Sequence, residues 1–236
     1  MNKRGSHVEV IISFMIFITF ILFIFSVIEP SINLKADKKS FLEDIELGIK
    51  NQISAEMTTI TVKITSSSQS CISLDEALTN LEIDSRIVAL GKDGDSLNCY
   101  IASGDSDDLM IERGSTADNF IKIYSSDSFD SLESSSSSCQ PLQITTNYQL
   151  GMTKTKEYYF ETKMFDLLNE DYENLRSVLG IPESIEFGYG IKLANGTTFE
   201  TEEGDLLTNI YVKETPIEYI DSEGNMLLGF LRIKTW

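Results

Sequence analysis

From Val10 to Ile28 the chain runs for 19 residues without a charged side chain, and seven of them are Ile and five Phe. At about 1.5 Å per residue such a helix is roughly 28 Å long, close to the hydrocarbon thickness of a bilayer. Ser13, Thr19 and Ser26 are its polar side chains, and each hydroxyl can bond back to its own helix. A cleaved secretory signal has a shorter apolar core, about 7–15 residues, and a small-x-small cut site. Here the run ends in "SVIEPS", which offers no such site, so residues 6–29 read as a retained transmembrane helix.

A run of this kind consumes little of a 236-residue chain, and the rest is long enough for a folded head. Hydrophobic residues make up 42%, which is enough to build a core. The net charge of −18 repels phosphate backbones, so nucleic acid is not expected as a partner. One histidine, His7, lies against the apolar run. The body therefore has no Ser-His-Asp or Cys-His arrangement, no two-histidine zinc helix, and no glycine-rich phosphate loop.

Orientation does not follow from charge alone. Lys3 and Arg4 precede the run, while Lys35, Lys38 and Lys39 follow it, offset by Glu29 and Asp37. Three cysteines, abundant Ser and Thr, and the sequon Asn195-Gly196-Thr197 favour a cytoplasmic N-terminus and an extracellular C-terminal head. Asn-Gly is also the preferred pair of a type I′ hairpin turn, and a hairpin tip carrying Asn195 would be exposed in either case.

Lys3-Arg4-Gly5, then Glu9, then an unbroken apolar helix resembles the type IV pilin signal, in particular its archaeal pilin-like form. The resemblance covers roughly the first 30 residues. It implies that a prepilin-type peptidase reads Arg4, cuts after Gly5, removes residues 1–5 and leaves Ser6 as the new terminus. Glu9 then matches the family's acidic residue, which neutralises the amino terminus of a neighbouring subunit. The acidic residue usually lies one position further from the cut than Glu9 does.

The physics of Glu9 agrees with that role. A carboxylate at mid-membrane costs at least roughly 2.5–3.5 kcal/mol, less near the edge. An ammonium from a neighbour would offset the cost and set the stagger between helices. A second reading leaves Glu9 at the interface, near the positive end of its own helix.

After Pro30, where a break is expected, Phe41, Ile45, Ile49 and Ile53 recur every four residues and predict an amphipathic stalk helix over 30–56. "EMTTITVKIT" then reads as a strand. Residues 66–140 form a polar region with a short helix near Leu74–Leu81 and strands near Ile87–Leu90, Leu97–Ala102, Leu109–Arg113 and Phe120–Tyr124. Residues 141–236 are more regular. They read as a strand pair, "PLQITTNYQLG" with "TKEYYFET", one helix over Phe165–Leu179, and two hairpins turning at Asn-Gly and at "DSEGN". Within that helix Phe165, Leu168, Tyr172, Leu175 and Leu179 are expected to be buried, and Trp236 is expected to pack on the sheet.

Cys71, Cys99 and Cys139 admit three pairings, with a buried free cysteine as the competing role. Cys71–Cys139 is preferred, because each follows a Ser-rich loop and the bridge would pin the polar middle region. The acidic clusters "KDGDS" and "SGDSDD" lack the spacing of a calcium loop and read as turns. Acid pairs such as Glu202 and Glu203 arise by chance among 37 acidic residues, and strand neighbours point to opposite faces. Neither catalysis nor a cofactor or metal is expected.

The expected fold is α+β: a transmembrane helix extended as a stalk, then a mainly antiparallel β head, 57–236, with one or two helices. The expected function is a pilin-like or pseudopilin-like subunit of a surface filament or secretion pseudopilus. Its partners would be membrane lipid, other pilin-like subunits and the peptidase. The alternative is a single-pass surface binding protein, an adhesin, that does not polymerise.

Overall fold

The computed structural model describes residues 5–65, 67–104, 107–113, 119–183, 185–201 and 210–236, with side chains in the first helix described at 9–24 and from 41 onward. The chain opens with one helix, α1 (Gly5–Gln52). Then come β1 (Ser54–Ile64), β2 (Cys71–Leu74), α2 (Ala77–Leu81), β3 (Ile87–Leu90), β4 (Ser96–Ala102), β5 (Leu109–Glu112) and β6 (Phe120–Ser125). Next are β7 (Ser134–Ser135), β8 (Gln140–Leu142), β9 (Tyr148–Phe160), α3 (Glu161–Leu168) and α4 (Tyr172–Val178). The chain closes with β10 (Phe187–Lys192), β11 (Thr198–Glu200), β12 (Tyr211–Ile220) and β13 (Met226–Thr235).

These strands join in the order β11-β10-β13-β12-β9-β1-β6-β3-β4-β5-β2-β8, with β7 beside β4. β1 sits near the middle because its Ile60, Val62 and Ile64 alternate into the core while antiparallel partners flank it, β9 on one side and β6 on the other. The sheet is mixed: β12 runs parallel to β9 through Tyr219–Tyr159 and Ile220–Phe160, β8 runs parallel to β2, and β7 runs parallel to β4. Pro216 is accommodated in β12 because that strand meets β9 only at Tyr219 and Ile220, so no ladder bond is lost.

The expected architecture is corrected in three respects. First, no separate stalk is seen among the described residues. Leu42, Ile45, Ile49 and Ile53 are 6%, 1%, 0% and 0% exposed and share one core with α3, α4, β10, β12 and β13. A free amphipathic stalk would leave that stripe in water; the sheet takes it instead. Gly48 lets Leu179 close on α1, where a Cβ would overlap the leucine side chain. Helix geometry also continues through Pro30, so the expected break is not formed. The roughly 3 kcal/mol that an interior proline costs is local and is absorbed by a helix of 48 residues.

Second, no helix among the described residues is long and apolar enough to cross a membrane, so the expected transmembrane element is not found there. The apolar side chains described in α1 run from Val10 to Ile24, short of the roughly 20 residues a span needs. The side chains of 25–29 lie outside the described residues. Third, the head is one large mixed sheet, in which three parallel pairings interrupt the antiparallel ones, and three helices rather than one or two accompany it after α1 among the described residues.

Smaller differences have local causes. The helix expected over 165–179 is two helices, because Asp171 caps α4, its carboxylate accepting from Asn174 N at 3.1 Å. Met164 and Leu167 are buried in α3, one residue out of phase with the expected Phe165 and Leu168. Phe165 is 39% exposed and meets Phe199 edge-on at 5.1 Å. The expected strand pair around Gly151 is one strand, β9, which pairs with β1 on both sides of Gly151 across a register shift between Ile60 and Val62. At Asn195-Gly196 the turn forms with Gly196 alone at positive φ, 86°, so it is not type I′. Trp236 packs over Gly188 as expected.

Candidate assembly surface

An α-helix places successive side chains about 100° apart, so a run without polar interruptions is apolar on every side. That is the state of α1 between Val10 and Ile24. Phe23 is 66% exposed, Met15 65%, Val10 64% and Phe14 62%, and even Ile24 is 36% exposed. Thr19 does not break the stripe, since its hydroxyl donates to the carbonyls of Ile16 at 2.9 Å and Met15 at 3.1 Å. At about 1.5–3 kcal/mol per side chain, covering the twelve exposed large apolar residues of this stretch is worth on the order of 20 kcal/mol. A surface like this is stable only when something apolar surrounds it.

Glu9 stands exposed at the N-terminal edge of the apolar surface. Gly5 and Ser6 belong to the backbone of α1, whereas Arg4 lies outside the described residues. Glu9 lies one helical turn from Gly5 and Ser6 and far from the head. Along α1 it is 43 residues, about 65 Å of helix, from Gln52, where the helix ends and the sheet begins.

At its other end α1 is tied to the sheet by an acid that sequence reasoning missed. Glu46 is 7% exposed, with one carboxylate oxygen 2.6 Å from Lys50 Nζ and the other 2.7 Å from Lys213 Nζ of β12. Burial alone would raise its carboxyl, but hydrogen bonds from Lys213, Lys50 and Thr215 outweigh burial and hold it down to about 2. The signal in the sequence was Lys50 at i+4 from an acid beside the buried Ile45. Because the folded value lies below the ordinary 4.5, the pair stabilises the fold above pH 4.5 and loses that contribution as pH falls towards 2. We expect about 2–3 kcal/mol of unfolding free energy to disappear over that window. In Glu46→Gln the loss should vanish, as read by urea unfolding at successive pH values.

The cysteines are arranged as preferred from the sequence. Cys71 and Cys139 form a disulfide with Cα atoms 4.9 Å apart. The topology explains the choice. β8 lies beside β2 with Ile72 opposite Gln140, so Cys71 and Cys139 are neighbours across adjacent strands. Cys99 sits in β4, two strands from β2 with β5 between. At about 4.8 Å per strand that gap exceeds the 7 Å a bridge can span. The free Cys99 thiol donates to the Leu97 carbonyl, and burial pushes it up to about 12.

Asn195 is exposed on the β10–β11 turn, its side-chain oxygen accepting from Thr197 N at 2.9 Å. Glu202 and Glu203 lie outside the described residues. No protein-family model, curated protein or solved structure matches the chain.

Proposed function

We propose that this protein is a pilin-like or pseudopilin-like subunit that assembles through α1 with copies or partners into a surface filament or secretion pseudopilus. The observation that carries this reading is the helix surface from Val10 to Ile24, apolar on every side and opened by the single carboxylate of Glu9. Neighbouring helices cover such a surface, and lipid acyl chains cover it in the unassembled subunit. The net charge of −18 makes the heads repel one another, so cohesion comes from the helices and strengthens as salt screens the heads. The head works outside the cytoplasm, a placement supported by the Cys71–Cys139 disulfide and the exposed Asn195.

In this reading a prepilin-type peptidase cuts after Gly5, and the amino group of Ser6 in one subunit pairs with Glu9 of the next. Breaking a desolvated charge pair costs about 3–5 kcal/mol per contact, so Glu9→Ala should weaken association more than a hundredfold. Sedimentation and electron microscopy of the native material read the result, alongside intact mass, which should show a chain beginning at Ser6. Undiminished assemblies in Glu9→Ala, or a mature chain that keeps Met1, would leave the adhesin that does not polymerise as the better account.

A further inference from the structure

One cavity of the head is set apart by charge. It has a volume of about 630 Å³ and lies between the face of β1, β6 and β9 and the tip of the β12–β13 hairpin. None of its fifteen lining residues is acidic, in a chain with 37 acids. Four other cavities of the head each carry at least two carboxylates.

Strand register builds this environment. Thr59 and Thr61 of β1 form the floor. Lys122 on β6 faces Thr61, and Lys154 on β9 faces Thr59, so the two ammonium groups flank the floor from opposite sides. Neither lysine has a carboxylate partner among the described residues. Lys156 is the next residue of β9 on the same face, and its hydrogen bond and charge lower the Lys154 ammonium. Like charges without a carboxylate partner favour an anion between them. Tyr124 and Tyr158 add aromatic surface, and Met152 and Met226 add flexible apolar edges.

The hairpin tip that roofs the cavity is preorganised. Asp221 accepts from Glu223 N at 3.0 Å, Asn225 N at 2.8 Å and Asn225 Nδ2 at 3.0 Å, closing the turn on itself. Gly224, at φ 82°, sits so close to the sheet that a Cβ would lie 3.0 Å from Val88 Cγ1 and 3.3 Å from Tyr124 Cδ2. The pocket is therefore closed at that end before anything enters, which lowers the ordering cost of binding.

We propose that this cavity binds a short acidic saccharide, with carboxylates on Lys122 and Lys154, sugar hydroxyls on Thr59 and Thr61, and ring faces against Tyr124 and Tyr158. Two lysines set apart across β1 suit a ligand carrying charge at two points better than a single inorganic ion. A long polyanion is disfavoured by the acidic remainder of the molecule, whereas a short one confined to the cavity lies within the roughly 8 Å over which the local lysines act. The inference stands apart from assembly through α1.

Titration calorimetry of the full chain, in a neutral detergent covering α1, tests it with digalacturonate, the neutral digalactose and inorganic phosphate as probes. Digalacturonate should bind, digalactose should bind at least tenfold more weakly, and phosphate should compete poorly. Lys122→Gln and Lys154→Gln should each weaken digalacturonate roughly tenfold, the value of one charge-assisted hydrogen bond. Lys92→Gln, outside the cavity, should leave it unchanged, and Glu9→Ala should bind as the parent does. Absence of digalacturonate binding, equal binding of digalactose, competition by phosphate at equal concentration, or indifference to both lysine substitutions would each overturn the proposal.

Discussion

Replacing Cys71 and Cys139 together by serine should lower the stability of the head by about 4 kcal/mol, the largest effect on folding expected in this molecule. The bridge closes a 68-residue loop, and closure entropy removed from the unfolded chain grows with the logarithm of that length. The loop includes β2 through β7 and most of the second core cluster, centred on Ile72, Leu74, Ile101 and Ile111. β8, with three residues, is the outermost strand in the sheet order, and the disulfide holds it against β2. For a domain of this size the loss should appear as a fall of about 8–16 °C in the thermal midpoint. Cys99→Ser should move the midpoint by less than a quarter of that, because its thiol is unbridged. A double variant within about 1 kcal/mol of the parent would show that β2 and β8 hold without the bond.

Ile49→Ala should cost about 3–4 kcal/mol. Ile49 is 0% exposed and lies in the core that α1 shares with β10, β12 and β13. The penalty has two parts, the lost transfer energy of the removed methyl groups and the cavity left beneath a helix that Glu46 and Leu179 hold in place. On a free stalk the same change would be close to neutral, since alanine is the better helix former. Chemical unfolding therefore distinguishes the two arrangements directly. A cost under about 1 kcal/mol would mean that residues 41–52 do not belong to the core.

Much of the secondary structure was legible because its signals are local. Alternation placed β3, β4, β5 and β6 within a residue or two of their observed limits, and the α3–α4 region ends at Gly180, at φ 66°, just past the expected limit of Leu179. Misreadings came where a distant partner overrides a local cue. Gly151 reads as a break, yet β9 runs through it because β1 pairs with it on either side, the register shifting between Ile60 and Val62. Phe165 reads as core at helical spacing, yet the α3–α4 break turns Met164 and Leu167 inward.

The two candidate sites differ in the same way. The apolar surface of α1 with Glu9 at its edge could be read directly, since one helix carries all of it. The lysine cavity could not, because Lys122 and Lys154 are 32 residues apart and become neighbours only through register with Thr61 and Thr59.

By itself the amino-acid sequence determined an uninterrupted apolar helix, an acidic and sheet-rich body, and the residue types available for a bridge or a charge pair. These depend on composition and on periods of two and 3.6 residues, which each segment carries alone. Tertiary structure decided that the lower part of α1 is core, that Cys139 rather than Cys99 meets Cys71, and that β12 runs parallel to β9. The physical reason is that strand order and register join segments far apart along the chain, and the energy that selects them is shared among all the surfaces they bury.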